Sequence, residues 1–229
     1  MSYISELFLC FIIFSFLGWC LEVAFGIVTL KRFVNRGFLV GPLCPLYGIG
    51  CVLLYLLLSQ YADDPIILAL ASMTLCSVLE YVASYIMEKI FKTRWWDYTD
   101  MKYNINGRIC LEMAVPFGIL GLGVVYVLFP AALHILELLP SLAIYICAGV
   151  LLLLFLVDLA VSFKVIMKFT EAVGHVPKDM TEEITKFVND TLSKQSKLTK
   201  RLIESFPNFR VNLEAIKNKI FKKRKKVSK

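Results

Sequence analysis

Only two histidines, His134 and His175, occur in the 229 residues, and each stands alone. They cannot supply ordinary zinc-ligand spacing. The seven cysteines (Cys10, Cys20, Cys44, Cys51, Cys76, Cys110 and Cys147) include no CxxC pair. Most of them lie in apolar runs, which favours small buried residues over a disulfide framework or a metal site. A phosphate-cradling GxxxxGK[ST] loop is also missing, so the chain carries no ATPase of that kind. The first hydrophobic run lacks a basic leader and a small-residue cleavage site, and is read as a retained span rather than a signal peptide. No metal and no cofactor is expected.

What is present is apolar. Hydrophobic residues make up 58% of the chain, and the mean hydropathy is +0.70. Runs of span length recur at about 5–30, 42–61, 66–91, 109–129 and 141–163. Each is long enough to cross a bilayer as a helix. The expected fold is an all-α membrane protein of five transmembrane helices over 1–168. A linker with Pro130, His134 and Pro140 is expected between the fourth and fifth. A cytoplasmic amphipathic helix over 169–206 and a basic tail over 207–229 complete the expected organisation.

The net charge of +7 is unevenly spread: residues 1–168 carry 10 basic and 11 acidic side chains, and residues 169–229 carry 15 and 7. All 25 Lys and Arg fall in the loop after the first span, in the end of the third span and the loop after it, or in the segment from Lys164 onward. The excess of basic residues in cytoplasmic loops then predicts N-terminus out and C-terminus in, at the cell membrane. From Pro177 to Phe206 apolar residues recur at helical spacing, with Asp179 and Glu182 placed as a capping box. Between Lys217 and Lys229, eight of thirteen residues are basic. Beside a membrane this favours anionic lipid headgroups as partners. Nucleic acid is disfavoured, since no base-stacking aromatics are interleaved.

One polar knot, WWDYTDMKYNINGRICLE over 95–112, stands between two apolar runs. Four acids, Glu22, Glu80, Glu112 and Asp158, lie at similar depth in their spans. Carboxylates there are costly and should face the bundle interior, paired or protonated. Arg36 and Arg108 are the natural partners, because a guanidinium can bridge two carboxylates or grip a phosphate. The candidate polar site therefore comprises Glu22, Asn35, Arg36, Glu80, Asp97, Asn104, Asn106, Arg108 and Glu112, with an aromatic rim of Trp19, Tyr47, Trp95, Trp96 and Tyr98.

Blander readings stand beside these. The tryptophans and Tyr98 suit interfacial anchors. The asparagines could cap the fourth span, and Gly107 could serve a tight turn. Glu88 reads as interfacial, and Glu6, Asp63 and Asp64 as ordinary exposed charges. Gly41-Pro42, Pro45 and Pro116 suggest broken or kinked helix starts, tolerated where backbone lines a protein-enclosed cavity.

Segments 35–50 and 106–121 share an Asn with Gly and Arg beside it, then a proline, then a terminal glycine. Upstream, Leu21-Glu22 parallels Leu79-Glu80. The reading stays open between two parallel helix-hairpin repeats plus one helix and chance similarity of two apolar hairpins.

The motifs GWCLE (18–22), NRGFLVGPLCPLYG (35–48), LEY (79–81), WWDY (95–98) and NINGRICLE (104–112) resemble the CmpB-like, ABC-transporter type IV permease family of bacterial multi-pass membrane proteins. The match covers about 10–125. The resemblance implies a permease partnered by a separate ATPase subunit. Two other readings compete: an enzyme acting on a lipid or lipid-linked substrate at the cytoplasmic leaflet, and a non-catalytic assembly protein. The substrate is not legible, and enzyme status stays open with a leaning against it.

Overall fold

The computed structural model describes residues 2–31, 35, 37–91, 93–173 and 210–211. Arg36, the predicted amphipathic helix from Pro177 and the basic tail from Lys217 lie outside the described residues. The chain is mostly helical. Helix α1 spans Ser2–Leu30, α2 spans Pro45–Leu58 and α3 spans Pro65–Phe91. After a loop with short strands, α4 (Leu111–Gly123) runs through a π-helical turn, Val124–Leu128, into α5 (Phe129–Glu137). Helix α6 spans Ser141–Val173.

Among the described residues, four helical stretches are long and apolar enough to cross a membrane: Tyr3–Thr29, Pro65–Phe91, Leu111–Glu137 and Ser141–Met167. The second expected span is shorter. It begins at Pro45, three residues later than predicted, and with its last turn reaches 17 residues, Pro45–Tyr61. Residues 37–44 before it are non-helical, consistent with the bias of the residue before a proline away from helix. The chain is thus a multi-pass membrane protein.

Two helix boundaries depart from expectation. Asp64 is not a plain surface charge: its Oδ1 accepts the backbone N–H groups of Ile66 and Ile67 at 2.9 and 3.1 Å. With Pro65 as the first helical residue, it caps α3. The linker expected around Pro130 and His134 is helical instead. Proline removes one backbone donor but is tolerated in a first turn, and the π-helical turn just before it absorbs the change, with Phe129 N–H bonded to the Val124 carbonyl. Pro116 likewise lies within α4 rather than ending it.

The core is built on Phe129, which is fully buried. Its ring stacks on Tyr55 at 4.2 Å and on Phe14 at 5.4 Å between centroids. These contacts join α5, α2 and α1 at the end of the bundle away from the knot. Small residues bring the helices of each hairpin close together. A Cβ on Gly48 would run into the Ser15 hydroxyl and the Phe11 carbonyl oxygen, and one on Gly121 would run into the Ser72 side chain. Close backbone approach of this kind drives helix association in lipid.

Gly48→Ala should therefore destabilise by about 1–3 kcal/mol through overpacking. Gly50→Ala, where an added methyl meets nothing within 4 Å, should be neutral or slightly stabilising. Thermal unfolding of the two variants in one detergent checks the contrast.

Candidate functional site

The knot between α3 and α4 is a small β-hairpin, an element not expected from the sequence. Strand β1 is Thr93–Arg94, β2 is Asn104–Ile105 and β3 is Ile109–Cys110. Strand β1 pairs with β4, Arg210–Val211, and β2 pairs with β3, both antiparallel. Asn106 and Gly107 adopt φ of 54° and 66°, and Arg108 N–H bonds the Ile105 carbonyl at 3.0 Å. That is a type I′ turn, for which Asn-Gly is the preferred pair. A Cβ on Gly107 would also crowd Thr99 and Asp97, so glycine is required twice over.

Most polar residues of the knot hold the knot itself. Asn104 Nδ2 donates to the Met101 and Thr99 carbonyls at 2.8 and 3.2 Å, and its Oδ1 accepts Gly107 N–H at 2.9 Å. Asp97 accepts the Thr99 backbone N–H at 3.0 Å and the Thr99 hydroxyl. Trp96 Nε1 donates to the Arg108 carbonyl at 3.0 Å. Asn106 Nδ2 donates to the Tyr81 hydroxyl at 2.9 Å, reaching α3.

Arg108 does not bridge the deep acids. It is 9% exposed, and its Nη2 sits 2.7 Å from Oε2 of Glu88. Its Nη1 donates to the Ser84 hydroxyl at 3.2 Å. The Tyr81 and Tyr85 rings lie 5.7 and 5.4 Å from the guanidinium carbon. All four partners project from one face of α3, at positions 81, 84, 85 and 88. Glu88 also accepts from Arg94 at 3.2 Å, and Arg94 lies 3.5 Å from Asp97. The residue read as merely interfacial is the main partner of the buried arginine. A helical i, i+3, i+4, i+7 count from Tyr81 was the available signal.

Two further expectations need correcting. Glu112 is exposed in the first turn of α4, where the helix dipole favours a carboxylate; it does not face the bundle interior. Trp95 is buried rather than on a rim. It packs edge-on against Phe38 and Phe91 at 5.9 and 6.4 Å, in a second small core that includes Ile166 of α6.

Two of the deep acids meet phenols. Tyr47 of α2 donates its hydroxyl to Glu22 Oε1 of α1 at 2.8 Å. Tyr98 of the knot donates its hydroxyl to Glu80 Oε1 of α3 at 3.1 Å. The two carboxyl groups lie within electrostatic reach of each other. Burial first, and then the nearby Glu80 carboxylate, push the Tyr98 hydroxyl well above the ordinary phenol range, so it stays a donor at neutral pH. With its folded-state value raised, the Tyr98 contribution to stability is complete below the ordinary phenol value of about 10 and is lost only above it.

Gly18 leaves room for the Tyr47 ring, which a Cβ there would strike. Trp19 Nε1 donates to Asn35 Oδ1 at 2.6 Å, tying the first loop to α1. The first-loop and knot halves thus converge through Glu22, Tyr47, Glu80 and Tyr98. Among the described residues, no group of three or more His, Cys, Asp or Glu side chains is placed to hold a metal ion.

A multi-pass helical membrane protein with a carboxylate–phenol cluster inside its helices is the class that fold and site define. The chain belongs to the family described as "Putative ABC-transporter type IV", whose match covers residues 9–163. No curated protein and no solved structure matches it.

Proposed function

We propose that the chain is a permease-like transport component in which Glu22 and Glu80, each held by a phenol, form a site for a proton or a small cation. The observation that carries this reading is the second oxygen of Glu80. Among the described residues, Glu80 Oε2 is buried and accepts no hydrogen bond. An ionised carboxylate in that position is costly unless a proton or cation occupies it. The family description supports a separate ATPase subunit as partner. The basic loops support a site that faces the cytoplasm, and the basic tail suits anionic lipid on that side. A lipid-phosphate enzyme is less favoured, because Arg108 is already engaged by Glu88 and Ser84.

A hydrophobic carbodiimide, which forms adducts with protonated carboxyl groups in apolar surroundings, tests the site. Peptide mapping of the treated protein in native membranes should find the adduct on Glu80 and not on exposed Glu112. Absence of any Glu80 adduct would contradict the reading.

A further inference from the structure

We propose that Asp158 is the positioning residue of this site: it latches the non-helical segment 37–44 to α6 and so sets where Tyr47 meets Glu22. The proposal rests on the reading of Glu22 and Tyr47 as part of the working site. Two consecutive backbone N–H groups, of Val40 and Gly41, donate to Asp158 Oδ1 and Oδ2 at 3.1 and 3.0 Å. One turn further along α6, the buried Ser162 hydroxyl donates to Asp158 Oδ1 at 3.2 Å and accepts Val40 N–H at 2.8 Å.

The carboxylate is therefore satisfied by backbone and hydroxyl donors. Among the described residues no Lys or Arg is paired with it.

The fit leaves no slack. A Cβ on Gly41 would stand 2.6 Å from Asp158 Oδ2. Segment 37–44 has no regular secondary structure, and while Leu43 N–H bonds the Gly41 carbonyl within it, those of Val40, Gly41 and Cys44 bond partners elsewhere. From this latch the chain leads straight to the site. Cys44 N–H bonds the Ser15 carbonyl at 2.9 Å, α2 starts at Pro45, and Tyr47 follows two residues later. Helix α6 also packs through Phe155 on Phe11 and Phe163 on Phe91, each at 5.4 Å between centroids, and the latch adds a polar tie to these apolar contacts. The latch makes the loop, and with it the phenol on Glu22, follow the position of α6.

Native cysteines report on the latch. Cys44 closes the loop and Cys110 precedes α4, and both are buried. The full-length protein in native membranes is treated with a membrane-permeant maleimide, and labelling of each cysteine is followed by peptide mapping. Asp158→Asn and Gly41→Ala should each raise the Cys44 labelling rate about tenfold, the size expected from one lost charge-assisted hydrogen bond. Cys110 should stay protected, and Ser162→Ala should give a smaller rise at Cys44.

Protection of Cys44 in both variants overturns the latch. So does joint exposure of Cys44 and Cys110, which would make Asp158 a general fold element. Release of Cys44 with cation flux unchanged in proteoliposomes upholds the latch and counts against the site it is meant to position.

Discussion

Replacing Arg108 with alanine should lower stability by about 3 kcal/mol, the low end of the cost of breaking a buried ion pair. The low end applies because Arg94 remains 3.2 Å from Glu88 and keeps part of its charge compensated. The loss includes the Ser84 hydrogen bond and the two flanking tyrosine rings as well as the 2.7 Å pair. It also loosens the β2–β3 hairpin on α3, which Asn106 still ties through the Tyr81 hydroxyl. Arg108→Lys should recover under half of the loss, because an ammonium is a point charge without the planar fork. Reversible unfolding in mixed detergent, with far-UV circular dichroism as the signal, measures both variants. A cost below about 1 kcal/mol for the alanine variant, the range of exposed pairs, would show that the contact adds little.

The second large effect is functional. Glu80→Gln keeps the shape of the side chain and can still accept the Tyr98 hydroxyl, so the fold should survive with little change in melting temperature. It removes the carboxyl group whose buried Oε2 lacks a hydrogen-bond partner among the described residues. Flux of protons or of sodium or potassium ions into proteoliposomes should fall by about 100-fold or more, the scale of removing an essential charged group. Tyr98→Phe should cost less, about tenfold, because it leaves the carboxyl group in place and removes one hydrogen bond. Unchanged flux in Glu80→Gln, with the fold intact, would assign the carboxyl group to helix packing.

The membrane class, the four long apolar helices and the family were legible because they depend on run length, composition and local motifs. That Glu22 and Glu80 lie at similar distances from the ends of α1 and α3 was legible, because residue spacing alone sets it. Which side chains pair was not. Arg108 chose Glu88 over the deep acids because the hairpin lays it along one face of α3, a consequence of the φ values at Asn106 and Gly107. Asp158 took backbone donors that no residue pattern advertises, since any sequence supplies N–H groups. Pro130 looked like a helix stop, but the π-helical turn before it accommodates the missing donor. The Asn-Gly pair carried a readable hairpin signal, obscured by the asparagines and arginine around it.

The central claim is that Glu22 and Glu80, from different helices, act as one site. A double-mutant cycle on cation flux tests it most directly, using Glu22→Gln, Glu80→Gln and the double variant in proteoliposomes of equal protein content. Residues that act as a unit give non-additive losses. The double variant should then transport no more slowly than the worse single variant. Losses that multiply across the cycle would mean two independent carboxylates and would contradict the account.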